Sequence, residues 1–238
     1  MLQTQLLSTL KSWGLIVGLL LISSNGWAKK EVTIPINVGV GPAAYYITGD
    51  IQNDQAPHYG LQIDLAAIIS KKTIQDNKGK IPKKYHNIVN KIGEARIGHM
   101  LIPDSIFISP KTNNTSIYGV TWQPISVNQP LLDSWMKLKV GAGLLFTYAN
   151  INRDIPATST TEGSNQVTHF FRPGIDLRAN LDLPFSESFI LSLGWSSAFY
   201  VPQTLGEPWG VSTESDSIWH IGQAYAILNI RIPYTTKM

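Results

Sequence analysis

The chain has no cysteine among its 238 residues. That excludes disulfides, thiolate metal sites, a cysteine nucleophile and a cysteine-borne lipid anchor, and it separates the chain from secreted domains stapled by disulfides. Charge is scarce too: Asp, Glu, Lys and Arg make up 15% of the residues and the formal net charge is +3. This is too little for the basic stripe that nucleic acid requires, although the pI is near 9.0. Beyond Ala28 no apolar run approaches the roughly 20 residues of a membrane-spanning helix. Any membrane crossing must then be made by strands, the other structure that satisfies its own backbone hydrogen bonds in lipid.

Residues 1–28 read as an export signal. Lys11 precedes the apolar run from Trp13 to Ile22, and Gly26 and Ala28 supply the small residues of a signal-peptidase site before Lys29 and Lys30. Cleavage is expected after Ala28, leaving residues 29–238 as a single domain.

From Val32 onward the chain alternates with a period of two. Val32, Ile34, Ile36, Val38 and Val40 share one face, against Thr33, Asn37, Gly39 and Gly41. Tyr59–Lys71, Met136–Tyr148, Val167–Leu183 and Phe189–Val201 repeat the pattern, and Ser105–Ser109 and Ser116–Ile125 are shorter examples. In Tyr225–Tyr234, Ala226, Leu228, Ile230, Ile232 and Tyr234 form an apolar face opposite Asn229 and Arg231. Trp219 and Ile221 fall on the other parity, which predicts a bulge near Gly222. With Ser217–Tyr234 the count is about eight strands. Greasy outer faces, charged inner faces and a closing aromatic predict an all-β, antiparallel up-and-down transmembrane barrel.

An even count puts both termini on one side, the periplasm for an exported chain. Residues 48–57, 110–115, 151–165 and 202–216 become outer loops, rich in turn-forming residues, and Pro184–Glu187 an inner turn. Tyr45, Tyr46, Tyr59, Phe146, Tyr148, Phe170, Phe171, Phe199, Tyr200 and Trp219 then gather at the outer end. Trp122, Trp135, Phe185, Phe189 and Tyr234 gather at the inner end, as aromatic girdles do.

From Lys29 to Tyr234 as a pattern, and in Tyr225–Tyr234 as a closing strand, the chain resembles the small bacterial outer-membrane β-barrel proteins of about eight strands. The resemblance implies a monomeric barrel without cofactors, set in outer-membrane lipid by the assembly machinery that reads the final strand. Its role would be structural, adhesive or weakly pore-forming, with the loops as the contact surface for an extracellular ligand. The chain differs from that class in continuing past Tyr234 to Met238 and in a long inner connection, Thr73–Pro103.

In that connection Pro82 suits a first helical turn. Tyr85, Ile88, Val89, Ile92 and Ala95 come after it at helical spacing among Lys83, Lys84 and Lys91. A short amphipathic helix is expected, lying on the inner leaflet, plugging the periplasmic mouth or packing beneath the barrel.

The charged face of Val167–Leu183 holds the candidate site. Arg172, Asp176, Arg178 and Asp182 all point inward in a barrel, toward Lys137 and Lys139 on the preceding strand and toward Asp64. They form either an internal salt-bridge network or a narrow polar path or pocket for a small solute. No metal site is expected, because His58, His86, His99, His169 and His220 lack ligand spacing. An outer-membrane enzyme acting on lipid or lipopolysaccharide is the alternative, and requires His220 to meet Ser217 or His169 to meet Ser164. A periplasmic lipid-binding barrel is a third reading, and requires aliphatic side chains inside with Arg172, Asp176 and Arg178 in water.

Overall fold

A computed structural model of the chain describes residues 31–49, 58–108, 115–133, 135–155, 157, 162–200 and 218–237. The expected export signal, Ser217 and most of the expected outer loops lie outside these residues.

Alternation with abundant Val, Ile, Leu and aromatic residues produces strands here, since such side chains fit a pleated, half-buried surface. The segments are β1 (Glu31–Gly49), β2 (His58–Ser70), β3 (Glu94–Gly98), β4 (Ser105–Ile108), β5 (Thr115–Asp133), β6 (Lys137–Ile155), β7 (Ser164–Pro184), β8 (Phe189–Tyr200) and β9 (Ile218–Lys237). All lie in one antiparallel sheet that closes where β1 meets β9, from Glu31↔Lys237 to Gly49↔Ile218. Both β3 and β4 sit between β2 and β5 and together make one interrupted stave. The ring therefore has eight staves, in the up-and-down order that the alternation implies.

Several boundaries differ from the sequence-based expectation. The third stave starts at Glu94, inside the stretch expected as helix and linker, and residues 100–103 leave it before it resumes, with His99 and Asp104 still bonded through their backbones to Leu65, Ile63 and Thr121. Strand β5 runs on to Asp133, so Trp122 lies level with Phe146 rather than at the inner end. Strands β6 and β7 stay paired up to Ile155↔Ser164, so both ends of the loop expected at 151–165 are ladder. Residues past Tyr234 prolong the closing pair, with Thr33 Oγ1 3.0 Å from Thr235 Oγ1.

The outward face carries Val38, Val40, Leu61, Leu177, Leu193, Leu228, Ile230 and Ile232, all exposed. A belt of this kind is what a barrel presents to lipid, since soluble proteins rarely leave so continuous an apolar surface in water. The charges lie inside, which overturns the inside-out alternative of a lipid-binding cavity lined by aliphatic side chains.

The interior is divided along its axis. Toward the rim carrying the loops it is apolar: Tyr45, Ile47, Phe107, Ile117, Leu145, Ala149, Ile151, Ala198, Tyr200 and Ile221 are buried as one cluster. Toward the rim carrying the termini it is polar and charged. This division accounts for Ile221. The expected bulge near Gly222 does not form, and the ladders to β1 and β8 run through that position unshifted. The hydrophobic parity changes because the lumen turns apolar at that height, so Ile221 points in and is buried. The irregularity lies at Trp219 instead, opposite Thr48 and Gly49. Tyr45 and Tyr200, expected in the outer girdle, also point in.

Glycines make room for the largest inward rings. A β-carbon on Gly119 would collide with the Phe107 ring, and one on Gly194 would collide with the Tyr225 ring. Each glycine is the ring's direct cross-strand partner, so the ring lies flat over bare backbone and fills the narrow lumen.

The long connection breaks into α1 (Lys71–Asp76), 3-10 turns at Lys78–Lys80 and Lys83–Tyr85, and α2 (His86–Val89), rather than one continuous helix. Ser70 caps α1 by accepting the Thr73 N–H. Ile74, Ile81 and Val89 are buried with Ala95, packed also against Ile69. Ile69 pairs with Ala95 on the parity opposite the inward Arg96, so the connection is folded against the outside of the wall. It does not plug the mouth.

Candidate functional site

The charged side chains expected in the lumen are there, and Arg178 with Asp176 and Lys139 with Asp182 are pairings of the expected kind, while Glu94 and Arg96 enter as partners that were not expected. Arg178 Nη2 donates to Asp176 Oδ2 at 2.8 Å. Lys139 Nζ lies 3.2 Å from Glu94 Oε1 and 3.1 Å from Asp182 Oδ2. Asp64 takes neither Arg178 nor Arg172, because Arg96 reaches it first at 2.9 Å. Arg172 stands higher, in register with Thr147, and no ion pair reaches it among the described residues. Lys137 sits at the inner mouth with Asp182, Glu187 and Arg231 around a cavity of about 280 Å³.

Arg96 is the centre of the network, and the alternation along the sequence did not single it out. Its guanidinium is buried and donates to Asp64 Oδ1, to Asp104 Oδ1 at 2.7 Å and to Gln123 Oε1 at 3.4 Å. Gln123 Nε2 donates to Asp176 Oδ1 at 2.5 Å, joining the two halves of the lumen. Gln123 keeps the inward parity of Ile117 and Thr121, and an extra residue in β5 between Trp122 and Ile125 then turns Ser126 and Asn128 inward as well. The Gln123 backbone N–H donates to Asp104. Glu94, Arg96 and Gly98 alternate with Ala95 and Ile97, a period-two signal obscured by the helical spacing that runs through Ala95.

Polar groups below and above complete the filling. Asp182 Oδ1 accepts from Ser192 at 2.7 Å, Ser192 accepts from Asn229 at 3.0 Å, and Arg231 donates to Asn37 at 3.2 Å. Tyr225 donates to Asn180, and Gln223 donates to Gln62 and to Tyr45 at 3.3 Å. Higher still, Thr147 lies 2.6 Å from the Tyr200 hydroxyl and 2.9 Å from Thr121. Three cations, Arg96, Lys139 and Arg178, thus hold five carboxylates. The remaining polar cavity is about 50 Å³, bordered by Asn37, Asp64, Asn180 and Tyr225, which admits a few waters at most. Above it the apolar cluster closes the lumen.

The outer surface of β5–β7 records a gradient. Phe146 and Phe171 stack at 6.4 Å. One step up, Tyr148 OH lies 2.7 Å from His169 Nδ1, with Tyr118 edge-on to Tyr148 at 6.2 Å. Higher again the surface is polar: Asn165 donates to Asn152 at 2.8 Å and to Asp154 at 2.6 Å. On the other side, His220 Nδ1 lies 2.9 Å from Thr48 Oγ1 and its ring is 5.0 Å from Phe199. Lipid-facing phenylalanines, boundary tyrosines and histidines and water-facing amides succeed one another in the order that an interface imposes.

Of the two catalytic pairings, the one between His220 and Ser217 falls outside the described residues and the one between His169 and Ser164 is not assembled. Ser217 lies outside the described residues, and His220 is engaged by Thr48. Ser164 and His169 are on one extended strand, on the order of 16 Å apart by its rise per residue. Among the described residues no cluster of His, Asp and Glu is arranged to hold a metal ion.

The sequence matches no family model and no curated protein. Among solved structures, Neisserial surface protein A is similar, with a TM-score of 0.50 and 11% identity over 83% of this chain and 97% of that one. Ail, the attachment invasion locus protein of Yersinia pestis, gives a TM-score of 0.44 and 8% identity over 84% and 99% of the two chains. A major outer membrane protein from Thermus thermophilus gives 0.44 and 11% over 82% and 99%. The likeness is one of architecture, and it agrees with the closed ring, the apolar belt and the charged lumen: this chain has the fold of the small eight-stranded outer-membrane β-barrels.

Proposed function

We propose that this barrel resides in a bacterial outer membrane, termini inward, and acts through contacts at its outer rim in a structural or adhesive role. The observation that supports this reading is the filled lumen. An ion-paired network occupies its inner half and a buried apolar cluster its outer half, so a conducting path would have to break both. Meanwhile β6 and β7 extend from Leu145↔Gly174 to Ile155↔Ser164, roughly 30 Å of strand, ending in polar side chains beyond the tyrosine and histidine boundary. The barrel works as a monomer, and β9 is the segment read by the assembly machinery.

The test is a pair of measurements on the chain from Lys29. In planar bilayers the folded barrel gives no unitary conductance. Cells displaying it adhere to a surface or host layer, and adhesion falls when residues 156–163 are replaced by a short turn. Steady single-channel currents, or adhesion indifferent to every outer connection, would sink the proposal.

A further inference from the structure

Where the connection lies against the wall it leaves a groove. Ile88, Lys91 and Ile92 on one side and the outward-facing Val127, Val140 and Ala142 on the other enclose a cavity of about 400 Å³, within the roughly 300–1,000 Å³ of small-molecule sites. Val140 and Ala142 stand three to five residues from the inner end of β6, about 10–16 Å along the strand. That depth lies within the apolar half of the leaflet on the terminal side. The lining is mostly aliphatic, with Gln129 and Asn128 on the wall and Lys91 on the connection as its polar members.

The second observation is charge. Residues 71–92 contain Lys71, Lys72, Lys78, Lys80, Lys83, Lys84 and Lys91 against Asp76 alone, in a chain whose formal net charge is only +3. Lys71, Lys72, Lys83, Lys84 and Lys91 are exposed, and Lys84 Nζ sits 4.8 Å above the Tyr85 ring, an aromatic and cationic pairing suited to a headgroup layer. The β7–β8 turn at the same rim carries Phe185 and Glu187 and no lysine. Positive charge is thus gathered on the sector of the rim that holds this groove.

We propose that this sector is a binding site for an anionic phospholipid, one acyl chain lying in the groove and the phosphate held by Lys83, Lys84 and Lys91. The site rests on the membrane reading above. An acyl chain is the occupant that matches an aliphatic slot opening sideways into hydrocarbon, and a phosphate is the group that matches lysines one step nearer the water.

The experiment refolds the chain from Lys29 into vesicles of phosphatidylcholine and phosphatidylglycerol in equal parts, extracts it into mild detergent, and identifies retained lipid by native mass spectrometry. Phosphatidylglycerol is expected to be enriched over phosphatidylcholine. The triple variant Lys83→Gln, Lys84→Gln, Lys91→Gln loses on the order of tenfold of that preference. Ala142→Phe, which fills the groove, loses retained lipid of both kinds. Ile88→Ser, on the exposed side of the groove, gives a second test independent of the barrel wall. A heat-modifiable band verifies that each variant is folded. Enrichment unchanged in the lysine variant, or no enrichment in a wild-type barrel that has inserted, overturns the site alone. Failure of the wild-type barrel to insert overturns the membrane reading together with the site.

Discussion

Arg96 and Asp104 stand on either side of an excursion at residues 100–103 that leaves the wall of the barrel, yet their side chains meet inside it at 2.7 Å. The outward detour of Met100, Leu101 and Ile102, all exposed, is therefore clamped from within. Asp104 also accepts the backbone N–H of Gln123, so one carboxylate ties the third stave to the fourth.

Removing Arg96 leaves Asp64 and Asp104 buried without their cation. Arg96→Leu is expected to destabilise the folded barrel by about 3–5 kcal/mol, read as a lower urea midpoint in vesicles. Adding Asp64→Asn and Asp104→Asn to that variant recovers most of the loss. A single variant as stable as the parent contradicts the network.

The ring over Gly194 gives a steric prediction. Gly194→Val meets the Tyr225 ring and is expected to reduce the heat-modifiable fraction sharply. Gly79→Ala, where an added β-carbon meets nothing within 4 Å, leaves that fraction unchanged. Equal behaviour of the two variants would refute the packing described for the lumen.

Phe107 is fully buried at 0% exposure in the apolar half of the lumen. Truncating it to alanine is expected to cost about 3–5 kcal/mol, seen in the same urea titration. The polar half below remains closed, so no conductance appears with the loss of stability.

A charge on the belt separates a membrane barrel from a soluble one. Leu177→Arg, at an outward position 54% exposed, is expected to destabilise the barrel in lipid by about 2–4 kcal/mol. The same substitution on a water-facing surface would change stability by no more than about 0.5 kcal/mol. An unchanged midpoint in vesicles argues against a lipid-facing belt.

Much of this architecture was legible in the chain. Alternation in Val167–Leu183 placed Asp176, Arg178 and Asp182 inside, and Tyr225–Tyr234 carried the correct outward face, because period two is fixed by the pleat itself. Three things escaped. Arg96 and Glu94 sit in a stave only five residues long, too short for alternation to outweigh the helical spacing before it. Arg178 with Asp176 and Lys139 with Asp182 were among the expected pairings, but the capture of Asp64 by Arg96 was not, because the stave that carries Arg96 read as helix and linker. Ile221 and Tyr45 broke parity because the lumen changes from polar to apolar along its axis, and a period-two reading assumes that each face keeps one character throughout.

The interrupted third stave also governs how the barrel breathes. Segments of five and four residues hold β2 to β5 there, whereas β1 and β9 are joined along nearly their whole lengths. Amide exchange should accordingly begin in residues 94–98 and 105–108 and come last along the closing pair. The barrel would part sideways between β2 and β5, away from the seam that its terminal strands seal.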